Sequence, residues 1–346
     1  MKIKKLICIL LAVMFILPLS SCGEGFYETS FTGVFDTYVQ IYASAESERY
    51  FMQTAKEAFS LMEEYHKLYD IYNDYDGINN LKTVNDNAGK EPVKVDSRII
   101  DLLKFCKDAY YLTDGNVNVA MGSVLKLWHD ARESVQTNVY APIPDMASLR
   151  AASEHIDIED IIIDEENSTV FISDPHLRID VGAVAKGYTT QKIYEFFISK
   201  GLIRGFVSIG GNVKVLGEKT GNDPGWKIGI QNPDVTYSTP LCLVSVRSGS
   251  LVTSGDYQRY FVSGGVKYHH IIDKDTLMPS VGMRSVTVWV DDSALADALS
   301  TYFFTISYED ALEFISEHPE YNINAYWVTE NNEIKYTQGM KGYIEE

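Results

Sequence analysis

Residues 178–187 read RIDVGAVAKG, and the architecture turns on them. Arg178, Ile179, Asp180 and Val181 alternate polar with apolar, as a half-buried strand does, and the run stops at Gly182. Lys186-Gly187 then opens residues 188–200, which carry an amphipathic helical pattern and end at Gly201. The expectation is a strand, a tight turn and a helix N-terminus. A helix start offers unpaired backbone N–H groups and the positive end of a dipole, a natural seat for phosphate. Lys186 adds a point charge there, and Gly182 and Gly187 permit close approach of backbone. A small-residue turn with one lysine is a weak sign by itself, and an ordinary strand-to-helix connection would look the same.

A second stretch, about 110 positions on, bears on that choice. Residues 294–305, ALADALSTYFFT, read as an apolar helix interrupted by Asp297 and Thr301. Their i, i+4 spacing puts both on one face. A carboxylate and a hydroxyl on a greasy face are costly to bury unless something satisfies them. Two oxygen donors of this kind suit a hard cation such as Mg²⁺, whereas an Asp–Thr hydrogen bond inside the core is the plainer account.

Five segments then stand in order: DVGAVAKGY (180–188), VSIGGNVKVLG (207–217), TSGDYQRY (253–260), YHHIID (268–273) and ADALST (296–301). In sequence and spacing they resemble the ApbE family of FAD:protein FMN transferases. The resemblance implies an α+β fold, an ApbE-type, T-fold-like single domain with its ligand cleft between subregions. It implies FAD as substrate and Mg²⁺ as metal, with Asp297, Thr301 and the backbone carbonyl of Ala183 as ligands. Carried over residue by residue, it places Phe35, Tyr72, Asn116, Val117, Asn118, Asp180, Lys186 and Ile272 against FAD. His270 fits the family's HxID segment better than His269, and it joins Asp297 as a catalytic candidate. The chain departs from the family pattern at Val117-Asn118, where an aromatic–aspartate pair is usual, and at Phe35-Asp36, where Met-Gly is usual. Both departures fall on the flavin side. The implied reaction moves FMN from FAD to a threonine or serine hydroxyl of an acceptor protein and releases AMP. The acceptor implied is a flavoprotein subunit of a membrane redox complex. Two rivals share the site: an FAD pyrophosphatase, in which water replaces the hydroxyl, and a lipoprotein that binds FAD without chemistry.

The amino-terminal end gives a compartment. Lys2, Lys4 and Lys5 precede an apolar run from Leu6 to Leu19, and Leu19-Ser20-Ser21-Cys22 reads as a lipobox. Residues 1–21 are expected to be a signal peptide, Cys22 the lipidated residue, residues 22–31 a tether and residues 32–346 the folded domain. The product would be an exported lipoprotein on the periplasmic or extracytoplasmic face of a bacterial membrane, held there through its lipid. No other stretch is long and apolar enough to span a bilayer. Loss of the leader takes the formal net charge from −18 to −21, which argues against nucleic acid and anionic lipid as electrostatic partners. An acidic chain also repels a dinucleotide, so cations near the site must override the global field. Cys106 and Cys242 remain, either paired or as two buried thiols.

Elsewhere the pattern is scaffold. Residues 32–43 alternate as a strand, and residues 46–69 read as a helix with Phe51, Ala55, Ala58, Met62 and Tyr65 inward. Asn-rich turns fill 73–90 beyond Tyr72, and a second helix spans 97–112. Polar loop is expected at 133–145 and strands around 161–173. Residues 205–217 read as a strand interrupted by Gly210-Gly211, from a bulge or from a ligand's approach. Tyr257 and Tyr260 are candidates to line an aromatic pocket.

Overall fold

The computed structural model describes residues 25–134, 142–219 and 225–345. The expected leader and Cys22 lie outside the described residues. The chain opens with β1 (Gly25–Val34) and β2 (Thr37–Ala45), an antiparallel pair joined by the two-residue turn Phe35-Asp36. Residues 25–31, expected as tether, are therefore the first seven residues of a ten-residue strand. The exposed outer face of β1 lacks the apolar content that marks a strand in sequence; its pairing with β2 supplies the order.

After the hairpin come α1 (Glu48–Tyr69), α2 (Leu81–Asp86), β3 (Val93–Lys94) and α3 (Ser97–Leu112). Helices α4 (Gly122–Ser134) and α5 (Met146–Ser153) follow, then the short strands β4 (Ile161–Asp164) and β5 (Thr169–Ile172). Helix α6 (Ala185–Ser199) leads into β6 (Gly205–Ile209), β7 (Asn212–Gly217), β8 (Trp226–Ile230), β9 (Cys242–Val246) and β10 (Ser250–Gly255). A separate hairpin, β11 (Tyr260–Ser263) with β12 (Val266–His269), precedes β13 (Met283–Val290) and α7 (Ser293–Thr305). The chain closes with α8 (Tyr308–Glu317), β14 (Asn324–Thr329), β15 (Ile334–Tyr336) and α9 (Gln338–Lys341).

Eight strands form one antiparallel sheet in the order β1-β2-β6-β7-β10-β13-β14-β15. Helices α1 and α6 cover its β2–β6 side, where Phe51, Met62, Ile193 and Phe197 meet Ile41 and Val207. Helices α7 and α8 cover the other half, with Leu299 and Phe303 against Val286, Val288 and Trp327. Trp226, Val244 and Val246 of the β8–β9 hairpin pack on Val215, Leu251 and Tyr326, forming a further layer. This is the mixed helix-and-sheet class expected. Among the described residues Cys106 and Cys242 are free thiols, Cys106 buried and Cys242 partly so. No helix of the described residues is long and apolar enough to cross a membrane.

Two features of the organising stretch differ from the sequence reading. Residues 178–181 are extended but join no sheet; Arg178 makes a single bridge to Met121. Their ladder partner is a side chain. Asn85 accepts from Ile179 N at 2.7 Å and donates to its carbonyl at 2.9 Å, as a neighbouring strand would. Asp180 N bonds to the Val119 carbonyl at 2.8 Å. The helix also begins at Ala185, three residues before the expected Tyr188, so Lys186 and Gly187 sit inside its first turn. The Asn-rich segment holds α2, whose capping box at Asn80 and Thr83 explains the asparagine. Helix α5 likewise follows the polar loop and is capped by Asp145.

Candidate active site

At one end of the large sheet lies a cleft of about 610 Å³. Its walls come from the β1–β2 turn, the β6–β7 turn, the end of β10, the base of the β11–β12 hairpin, α4, α6 and α7. All twelve residues singled out by the sequence for FAD, metal or catalysis line it, from Phe35 to Thr301. Cys22 is outside the described residues.

The acidic end is built by a helix crossing. Gly187 of α6 meets α7 so closely that a Cβ would stand 2.4 Å from both the Asp297 Cβ and the Ser293 carbonyl oxygen. The glycine thus serves helix packing, not the approach of a ligand as the sequence reading had it. The same contact lets Gly187 N donate to Asp297 Oδ2 at 2.7 Å. One first-turn amide of the expected anion seat is already spent on a carboxylate, and Gly182 N is spent on Asp180 Oδ1 at 2.8 Å. The seat is therefore narrower than a bare helix terminus. Lys186 Nζ stands 3.8 Å from Asp297 Oδ1.

Asp297 is 3% exposed. Burial raises its carboxyl above the usual range, opposed by Lys186 and the Gly187 amide. Thr301 does not bond to Asp297. Its hydroxyl pairs with Ser254 at 3.3 Å, and Ser254 pairs with Ser300 at 2.8 Å. Asn212, placed by the Gly210-Gly211 turn, is 2% exposed, and its side-chain amide faces Asp297, adding to the groups that oppose the rise of that carboxyl. Both glycines have positive φ, +60° and +90°, as a two-residue hairpin turn demands. The interrupted strand is thus two strands.

The other end is aromatic and cationic. Asp70 accepts from Tyr72 N at 2.7 Å and Asn73 N at 3.1 Å, fixing the loop that presents Tyr72. The exposed Tyr72 ring stacks on His129 with centroids 4.9 Å apart, and Arg132 reaches His129 Nδ1 at 2.9 Å. Phe35 and Asp36 both hold positive φ, 51° and 52°, and the Phe35 ring packs edge-on to His66. Val117 is 1% exposed. The Asn116 and Asn118 amides donate to the carbonyls of Thr113 and Ile156, both at 2.9 Å. That wall therefore offers packing and backbone, with its side-chain amide donors turned away. Burial raises the Asp180 carboxyl, against the Gly182 amide and the charges of Arg259, His129 and Arg132.

His269 and His270 divide their roles. His269 is buried, and its two nitrogens meet the Ser280 carbonyl and Ile271 N. His270 sits at the cleft with Nδ1 3.2 Å from the Arg259 carbonyl, and burial plus the charges of Arg259 and Lys186 push it down to about 3. Ile272 closes the floor, bridged to Pro279. Of the TSGDYQRY segment, Thr253, Ser254, Gln258 and Arg259 line the cleft, whereas Tyr257 and Tyr260 do not. Arg132, His129 and Arg259 went unread in the sequence, Arg259 although it lies within a quoted motif, next to the tyrosines chosen instead.

Among the described residues no three His, Cys, Asp or Glu side chains gather as a metal cluster. The oxygen donors of Asp297, Thr301 and the Ala183 carbonyl are the chemistry a small hard cation takes. A buried carboxylate whose one charged partner among the described residues is a lysine 3.8 Å away fits such a charge.

A family model described as ApbE family matches residues 35–327. This chain belongs to the ApbE family. It is 29% identical over 281 residues to a protein of Klebsiella pneumoniae (strain 342), covering 81% of this chain and 83% of that one. It is 32% identical over 273 residues to one of Treponema pallidum (strain Nichols), covering 75% and 73%. Both relatives are named FAD:protein FMN transferase. The crystal structure of the ApbE protein of Thermotoga maritima superposes with a TM-score of 0.81 at 28% identity, covering 93% of this chain and all of that one. The flavin transferase ApbE of Vibrio cholerae shares the fold with a TM-score of 0.74 at 22% identity, over 92% of this chain and all of that one.

Proposed function

We propose that this chain is an FAD:protein FMN transferase that uses Mg²⁺, releases AMP and works at a membrane surface to which lipid on Cys22 holds it. The observation that carries the site is the bond from Gly187 N to Asp297 Oδ2, which makes the Lys186 turn and the Asp297–Thr301 face one place. Family membership supports the activity. The lipid and the compartment rest on the leader sequence alone.

In this reading the FAD diphosphate lies between the α6 turn and α7, with the flavin toward Phe35, Tyr72 and Ile272. Mg²⁺ held by Asp297, Thr301 and the Ala183 carbonyl supplies charge neutralisation at the phosphoryl oxygens. Lys186 sits beside that carboxylate and binds the diphosphate. The acceptor's threonine oxygen forms a bond to the flavin-side phosphorus while the bridging P–O bond to AMP breaks. The hydroxyl proton goes to His270, which is neutral at pH 7 but a weak base with its value pushed down to about 3, or to an aspartate near the metal. The acceptor is a protein whose threonine or serine can enter the cleft, in keeping with a flavoprotein subunit of a membrane redox complex.

Incubation of the chain with FAD and Mg²⁺, with and without a threonine-bearing acceptor peptide, tests this. Covalent flavin fluorescence on the peptide with stoichiometric AMP is the expected result. Free FMN and AMP at equal rates with or without peptide would mean hydrolysis, and unchanged FAD would mean a binding protein.

A further inference from the structure

The cleft draws three strong cations around it in a chain of 48 acidic and 30 basic residues. Two are already engaged. Lys186 faces Asp297 at 3.8 Å, and Arg132 meets His129 at 2.9 Å and Glu133 at 3.6 Å. Arg259 is different: among the described residues its guanidinium has no ion pair and no hydrogen bond, although carboxylates outnumber bases across the molecule. Its backbone is held firmly, since the Arg259 carbonyl accepts from His270 N at 3.1 Å and lies 3.2 Å from His270 Nδ1. The two residues thus face each other at the base of the β11–β12 hairpin. The positive charge of Arg259 is felt by His270, by Asp180 across the cleft and by Tyr72. An anchored arginine with an uncommitted five-donor fork, set against a proposed proton acceptor, is suited to a phosphoryl oxygen pair.

We infer that Arg259 is a catalytic residue of the transfer, its guanidinium engaging the flavin-side phosphoryl group as the threonine oxygen attacks and AMP departs. The step creates one P–O bond and breaks one, and Arg259 carries no proton in it. Its part is to hold the charge that gathers on the non-bridging oxygens. This assignment rests on the transferase reading and adds a second cation beside Lys186, on the opposite wall.

The test uses the full chain with FAD, Mg²⁺ and a threonine peptide, comparing wild type, Arg259→Gln and Arg259→Lys. Arg259→Gln should lower turnover at saturating FAD by about 100-fold, the usual effect of removing one donor to a developing oxyanion. Arg259→Lys should recover only part of it, because a point charge lacks the fork. Riboflavin, which has no phosphate, should quench equally with all three proteins. Wild-type turnover on Arg259→Gln would overturn the assignment. So would a loss confined to FAD affinity with turnover at saturation unchanged, or an equal loss of riboflavin and FAD binding, which would mean a structural role. If wild type itself transfers no FMN, the transferase reading fails and not this one.

Discussion

One buried carboxyl and one histidine set how single residues answer to pH. Asp297 is raised, so the folded protein holds its proton more tightly than the unfolded chain does. That contribution is complete below the ordinary aspartate value of about 3.9 and is lost as pH rises through the folded value. Metal-free protein should lose stability over that interval, and Asp297→Asn should flatten the loss in a series of thermal melts. The same variant should lower transfer at least about 1000-fold, the scale of removing a charge-stabilising group at a phosphoryl centre, without lowering Tm. A fully active Asp297→Asn would remove the metal assignment. His270 runs the other way. Its folded value is depressed from 6.5 to about 3, so stability falls as pH drops between those two, and His270→Gln should remove that part of the acid loss. Asp36 gives a third prediction. It holds a left-handed backbone where the family pattern has glycine; Asp36→Gly relieves that strain but frees the unfolded chain, so stability in denaturant melts should change by less than about 1 kcal/mol.

Elements explain why the sequence was only partly legible. Helices α1, α3 and α7 are legible nearly to their ends, because each carries a continuous apolar face and a polar cap. The organising segment misled because alternation reports a half-buried extended chain and not what pairs with it. Its partner, Asn85, is 94 positions away from Ile179 and is a side chain, which no periodicity reveals. The glycine at 187 was visible and its cause was not, since only the crossing of α6 and α7 explains it. Gly187→Ala should therefore cost about 2 kcal/mol through overpacking and also displace Asp297, so Tm and transfer fall together. Gly211→Ala is the control. It meets nothing within 4 Å and should pay only the backbone strain of φ +90°, leaving transfer intact.

For the whole molecule, the site draws on residues from Phe35 to Thr301 and on three separate parts of the core, so a ligand in the cleft ties them together. FAD and Mg²⁺ together should raise Tm by more than the sum of each alone, since Lys186 and Asp297 neutralise each other until both arrive. At 100 times the dissociation constant, a ligand adds about 2.7 kcal/mol to stability, enough to read by scanning calorimetry. Additive shifts would mean that the two bind independently. Twelve of the residues that line this cleft are legible from the motifs, whereas its cationic rim is not, because Arg132 and Arg259 come to one cleft only after folding. The bond from Gly187 to Asp297 spans 110 positions of chain. A polypeptide that stops short of α7 keeps the lysine turn without the carboxylate it bonds to, so the proposed diphosphate seat would lack its opposite wall.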